Sequence, residues 1–119
     1  MMQVWYMLRQ GRSFRTIKMK GDMMLTSKQR SYLRSLANSH DSIFQIGKGG
    51  ITPAFVKQVD EALEARELVK IHVLESAGLT AREACDELSE KTGAEGVQVI
   101  GSRFVIYRKS RENPRITLP

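Results

Sequence analysis

Alternating helix-forming and strand-forming segments predict an α+β fold, a mixed four-stranded sheet packed with helices in the order α-β-α-β-α-β-β. Three observations carry this. Two segments open with capping boxes, a glycine-rich loop separates a strand-like run from a Thr-Pro helix start, and two β-rich runs flank Gly101-Ser102. Strands separated by helices need crossovers, whereas Gly-Ser suits a tight type II′ hairpin, so both parallel and antiparallel pairs are expected.

Each element has a local reason. Thr26-Ser27-Lys28-Gln29 is a capping box, followed by Tyr32, Leu33, Leu36 and Ala37 at helical spacing; the helix should end near Asn38-Ser39-His40. Ser42–Ile46 reads as a short strand stopped by glycines. Thr52 is the N-cap of the second helix and Pro53 its first residue, with Phe55, Val56, Val59, Ala62 and Leu63 as the buried stripe. Leu68–Leu74 is a strand with Val69, Ile71 and Val73 on one face. Thr80-Ala81-Arg82-Glu83 is the second capping box; its helix buries Ala84, Cys85 and Leu88 and closes at Gly93. The hairpin VQVIGSRFVIY completes the domain, taken as residues 24–108.

The ends read differently. Residues 1–23 contain five basic side chains against Asp22, a net charge of +4 in a chain of net +6. They suggest a basic, poorly ordered arm, or translated sequence upstream of a start at Met23 or Met24. Residues 109–119 read as a polar C-terminal tail. A chain of 119 residues suits one domain with a core that needs neither disulfide nor metal. The lone Cys85 cannot form an internal disulfide, and no apolar run approaches the ~20 residues that span a bilayer. The first residues also lack the continuous apolar segment of a secretory signal, so a cytoplasmic protein is expected.

GKGGITPAF, Gly47–Phe55, is the informative stretch. Its lysine lies among the glycines with no Ser or Thr directly after it, which excludes the nucleotide-triphosphate loop; the dinucleotide spacing fails as well. What remains is G-x-x-G before a helix N-terminus. There glycines let a sugar-phosphate backbone come close, the helix end favours an anion, and Lys48 adds a mobile cation. A plain β–α turn is the competing reading. Around Gly47, Lys48, Gly49 and Gly50, the candidate contacts are Lys28, Arg30 and Arg34 on the solvated side of the first helix, Lys57 one turn into the second, and Arg103 and Arg108 framing the last strand. Asp60, Glu61, Glu64 and Glu67, with Glu83, Asp86, Glu87 and Glu90, suggest a separate acidic surface. Phe44, Phe55, Phe104, Tyr32 and Tyr107 are expected to pack rather than stack on bases. His40, His72 and Cys85 form no recognisable catalytic or metal-binding spacing, so no enzyme, cofactor or small-molecule substrate is expected.

GKGGIT, then ELVKIHVL (Glu67–Leu74), then TGAEGVQVIGSRFVIYR (Thr92–Arg108) together resemble the CRM domain, for chloroplast RNA splicing and ribosome maturation. The resemblance also includes the opening LTSKQRSYLRSLA and runs from Leu25 to Arg108. It implies a core similar to the C-terminal domain of bacterial translation initiation factor three. It implies RNA as the partner, contacted through the G-x-x-G loop and the basic face of the first helix. For the stand-alone bacterial members, of YhbY type, it implies ribosomal RNA in precursors of the large ribosomal subunit and a part in ribosome assembly, with ribosomal proteins as further neighbours. A protein-interaction module using the acidic helices is the alternative.

Overall fold

The computed structural model describes residues 25–119, so the expected arm at 1–23 lies outside the described residues. Helix α1 spans Ser27–Ala37, strand β1 Phe44–Ile46, helix α2 Pro53–Arg66, strand β2 Leu68–Val73, helix α3 Ala81–Thr92, strand β3 Glu95–Ile100 and strand β4 Arg103–Tyr107. Among the described residues, a 3-10 turn at Glu75–Ala77 is added to the expected order. Both capping boxes form, with Thr26 and Gln29 on α1 and Thr80 and Glu83 on α3. Thr52 caps α2 ahead of Pro53, and Gly93 ends α3 in the left-handed region. Gly101 has φ +58° while Ser102 keeps a negative φ, the pattern of the expected type II′ turn.

The sheet is mixed, with spatial order β1-β2-β4-β3. β1 and β2 are parallel, and the β2–β4 and β3–β4 pairs are antiparallel. Side chains alternate between two faces. Val69, Ile71 and Val73 share one face with Phe104 and Ile106, and α2 and α3 cover it through Val59, Leu63, Ala84, Cys85 and Leu88. Leu68, Val97, Val105 and Tyr107 form the other face, covered by Leu33 and Ala37 of α1. Each fully buried aliphatic or aromatic side chain contributes about 1.5–3 kcal/mol, so these two layers carry most of the folding drive. Phe44 and Phe55 pack edge-to-face with ring centroids 5.6 Å apart, and Phe104 is buried, as expected of core aromatics.

The C-terminal segment is polar in composition but docks on the domain. Glu67, between α2 and β2, is fully buried and has φ +69°. Its carboxylate accepts backbone N–H bonds from Ser110 at 2.8 Å and from Arg115 and Ile116 at 2.7 Å each. Glu64 accepts from the Ser110 hydroxyl at 2.7 Å and from the Arg111 and Glu112 amides at 3.1 Å. Ile116 and Leu118 then pack against the α1-side core. The Arg108 guanidinium is buried; it pairs with the Asp60 carboxylate and donates to the carbonyls of Thr92 (2.7 Å) and Asp60 (3.0 Å). The acidic surface expected on the second helix is therefore not free, because Asp60, Glu64 and Glu67 hold Arg108 and the C-terminal segment.

Two expectations follow. Glu67→Ala deprives three amides of their acceptor, and escape of the segment into water limits the loss, so urea unfolding should show a stability drop of about 2–4 kcal/mol. Truncation after Lys109 should cost a similar amount, and the two changes combined should fall well short of additive; full additivity would mean that Glu67 does not act through the segment.

The second concerns acid. Glu64 is lowered from 4.5 to about 2, first by the Ser110 hydroxyl and then by the Arg111 and Glu112 amides. Burial pushes Glu67 up, but the amides of Ser110, Ile116 and Arg115, with the Arg115 charge, more than reverse this and leave it lowered. A carboxylate with a lowered folded value stabilises the fold above its unfolded pKa and loses that contribution as pH falls through the folded one. For Glu64 that window runs from 4.5 down to about 2. Thermal melts from pH 6 to pH 2 should fall steeply there, and Glu64→Gln should flatten the limb; an unchanged limb would remove Glu64 from the acid response.

Candidate nucleic-acid interface

β1 delivers the chain to the loop. After Ile46, whose carbonyl accepts from the Leu74 amide at 2.8 Å, Gly47 to Gly50 form a turn closed by Gly50 N–H donating to the Gly47 carbonyl at 3.0 Å. Gly49 has φ +102° and Gly50 φ +65°, conformations that L side chains rarely adopt. A Cβ on Gly49 would meet nothing within 4 Å, so the glycine there faces open space. Lys48 and Gly49 are exposed at the tip. The glycines thus give the loop both its shape and an unshielded backbone.

The helix that follows supplies fewer donors than a bare N-terminus would. Pro53 has no N–H, and the Phe55 amide is bound by the Thr52 hydroxyl at 3.1 Å. That leaves Ala54 as the donor in the first turn of α2. The attraction for an anion rests mainly on Lys48, the loop amides and the positive end of the helix dipole.

Tertiary contacts bring two more segments to this end of the sheet. The 3-10 turn lies against the loop; a Cβ on Gly47 would sit 3.5 Å from Leu74 Cδ1 and 3.8 Å from Ser76 Oγ. The Gly101-Ser102 hairpin joins them, because the Val73 amide donates to the Ser102 carbonyl at 2.7 Å. Arg103 opens β4 there and is exposed. Lys57 is exposed on α2, one turn beyond the cap. Among the described residues Lys48, Lys57 and Arg103 make no ion pair, so their charges are available to a ligand.

The basic residues of α1 divide. Leu33 and Ala37 define the buried stripe. Lys28 points nearly away from it, while Arg30 lies beside it and donates to the Gly96 carbonyl of β3. Arg30 is therefore not on the solvated side as expected; it pins α1 to the sheet edge. Gln29 and Leu36 lie on one flank of the stripe and Arg34 on the other. Gln29 donates to the Pro119 carbonyl at 3.2 Å, so its flank faces the docked C-terminal segment, and the Arg34 flank is the one on which Arg30 meets Gly96 at the β3 edge. Lys28 shares the first turn of α1 with Gln29, whose side chain meets the C-terminal segment. Arg108 must also be corrected, since its buried guanidinium is occupied by Asp60 and Thr92 and is not a surface contact. Tyr107 is buried as expected, but Tyr32 is 39% exposed rather than packed.

The groups weighed for catalysis do not converge. Cys85 is buried in the core, and desolvation, with the neighbouring Asp86 charge, pushes its thiol up to about 11. It is a neutral packing residue at physiological pH. His40 follows α1, and its carbonyl accepts from Lys70 Nζ at 3.3 Å; His72 lies on β2. No local sequence pattern announced the meeting of the loop, the 3-10 turn and the hairpin, because it depends on strand order.

Known proteins of the same pattern are similar along most of the chain. The chain is 44% identical over 96 residues to the protein named Probable RNA-binding protein YqeI of Bacillus subtilis, a match covering 81% of this chain and 100% of that protein. It is 32% identical over 95 residues to a protein of Haemophilus influenzae named RNA-binding protein, covering 80% of this chain and 95% of the other. The solution structure of the hypothetical protein SAV1595 from Staphylococcus aureus is 54% identical and superposes with a TM-score of 0.65, covering 81% of this chain and all of that one. Residues 25–108 match the CRS1 / YhbY (CRM) domain model, the span over which the sequence shows the resemblance from the opening LTSKQRSYLRSLA to Arg108, and the chain belongs to that family.

Proposed function

We propose that this protein is a non-catalytic RNA-binding protein that grips the phosphate backbone with its G-x-x-G loop. The observation that carries the reading is the open Gly47–Gly50 turn. Two of its glycines hold positive φ, nothing shields Gly49, and Lys48 at the tip has no acidic partner among the described residues. Arg103 and Lys57 extend the positive field at that end. The names of the relatives point to the same ligand.

The ligand is ribosomal RNA in precursors of the large ribosomal subunit, and the role is to assist assembly in the cytoplasm, with ribosomal proteins as neighbours. Phosphate contacts position a protein without specifying sequence, so selectivity comes from RNA shape and the particle around it. The competing reading, a protein-binding acidic face, loses its strongest support because Asp60, Glu64 and Glu67 are occupied within the fold.

The decisive experiment is co-sedimentation with ribosomal particles in cell extract. Wild type should run with large-subunit precursors and Lys48→Glu should remain at the top of the gradient; wild type at the top would overturn the ribosomal reading. Against purified RNA, Lys48→Glu should weaken binding by about tenfold and flatten the salt dependence. Gly49→Asp is a poorer probe, because φ +102° strains any side chain there.

A contrast between two arginines checks the division of α1. Arg30→Ala should lower the melting temperature, since it frees the Gly96 carbonyl, whereas Arg34→Ala should leave it unchanged and weaken RNA binding. Equal effects of the two on binding, with no change in melting, would restore a single basic helix face.

A further inference from the structure

The end of the sheet nearest the loop carries a row of four side chains, of which the phosphate grip uses only the charge of Arg103. Register aligns Gln45 with His72, His72 with Arg103, and Arg103 with Ile100, one residue from each strand. Directly paired residues point to the same face, here the face that α1 covers over Leu68, Val105 and Tyr107. At this row the cover has ended. Gln45, Arg103 and Ile100 are exposed and His72 is half-buried. Ile100 is 64% exposed, the most of any large apolar residue among those described.

The row has a definite chemistry. It holds an amide, an imidazole, a guanidinium and an aliphatic branch, with no carboxylate. Among the described residues neither His72 nor Arg103 makes an ion pair. Three inter-strand gaps give it a width of roughly 14 Å, and a sheet of four strands can take two or three bases across such a face. Planar imidazole and guanidinium groups stack on bases whatever their identity. The row is also continuous with the loop, since Gln45 stands two residues before Gly47.

We propose that this row is the base-contacting half of the interface. Single-stranded RNA lies across it with its backbone held at Gly47–Gly50, and bases stack over His72 and Arg103 against Ile100. The positive charge and the continuity with the loop favour RNA over a second copy of the chain. The proposal rests on the RNA-binding reading above and adds the strandedness of the ligand and the residues that meet its bases.

The test is fluorescence anisotropy with three labelled probes: a mixed-sequence single-stranded 12-mer RNA, an abasic oligomer of the same length, and an RNA duplex. Arg103→Lys keeps the charge and removes the stacking plane; Ile100→Thr keeps β-branching and removes apolar area. Each variant should weaken binding of the single strand by roughly fivefold or more, with an unchanged salt slope and unchanged binding of the abasic probe. Wild type should also prefer the single strand to the duplex. If both variants bind the single strand as wild type does while Lys48→Glu does not, the row proposal falls and the loop reading stands. If wild type binds none of the probes, both fall. A change in sedimentation-equilibrium mass without a change in RNA affinity would assign the row to a second copy and overturn the proposal.

Discussion

One buried carboxylate closes an end of this domain. Glu67 is the single residue between α2 and β2, and the chain turns there with φ +69°. Glycine is the usual occupant of that region of backbone space, and another residue costs roughly 1–2 kcal/mol. Three backbone N–H groups converge on the Glu67 side chain, and hydrogen bonds to a charged acceptor contribute about 1.5–3 kcal/mol each. The second quantity is the larger, which accounts for a charged residue in a glycine position. By fixing the C-terminal segment, Glu67 also brings Ile116 and Leu118 against the core under α1. Leu68 and Tyr107, which start β2 and end β4, are thereby kept from water.

The sheet consequently has a sealed end and an open end. At the sealed end, Arg108 is bound by Asp60 and the Thr92 carbonyl, and Glu64 and Glu67 are bound by backbone amides. At the open end the loop, the 3-10 turn and the hairpin meet, and Lys48 and Arg103 face solvent. Arginine serves different purposes at the two ends. Its fork of donors satisfies buried acceptors where the geometry is closed and leaves charge available where it is open. Counting basic residues along the chain does not separate these uses.

On the proposed reading, the open end offers a polyanion an exposed surface with unpaired positive charge. The loop's glycines leave its backbone unshielded, and because the cap and proline of α2 consume early donors, the charge of Lys48 would matter more there than at a bare helix end. A phosphate grip of the proposed kind would be indifferent to sequence. On that reading discrimination comes from other surfaces or from RNA shape, and the uncovered end of the sheet lies directly beside the loop.

Local chemistry made much of this legible in the sequence. Capping boxes at Thr26 and Thr80, Pro53 behind Thr52, alternation in β2 and Gly101-Ser102 marked helices α1, α2 and α3, strand β2 and the β3–β4 hairpin, because each signal involves residues within a few positions of one another. The loop was legible for the same reason, since its glycines answer a local demand for positive φ. Only the tertiary structure decided which charges remain free. Arg30 meets Gly96 across 66 positions and Arg108 meets Asp60 across 48, and Glu67 looked like one more surface acid until the chain returned to it at Ser110. Such pairings are set by strand order and by the crossing of α1 over the sheet. A side chain's charge is a property of its residue, but its availability depends on what the fold places opposite it.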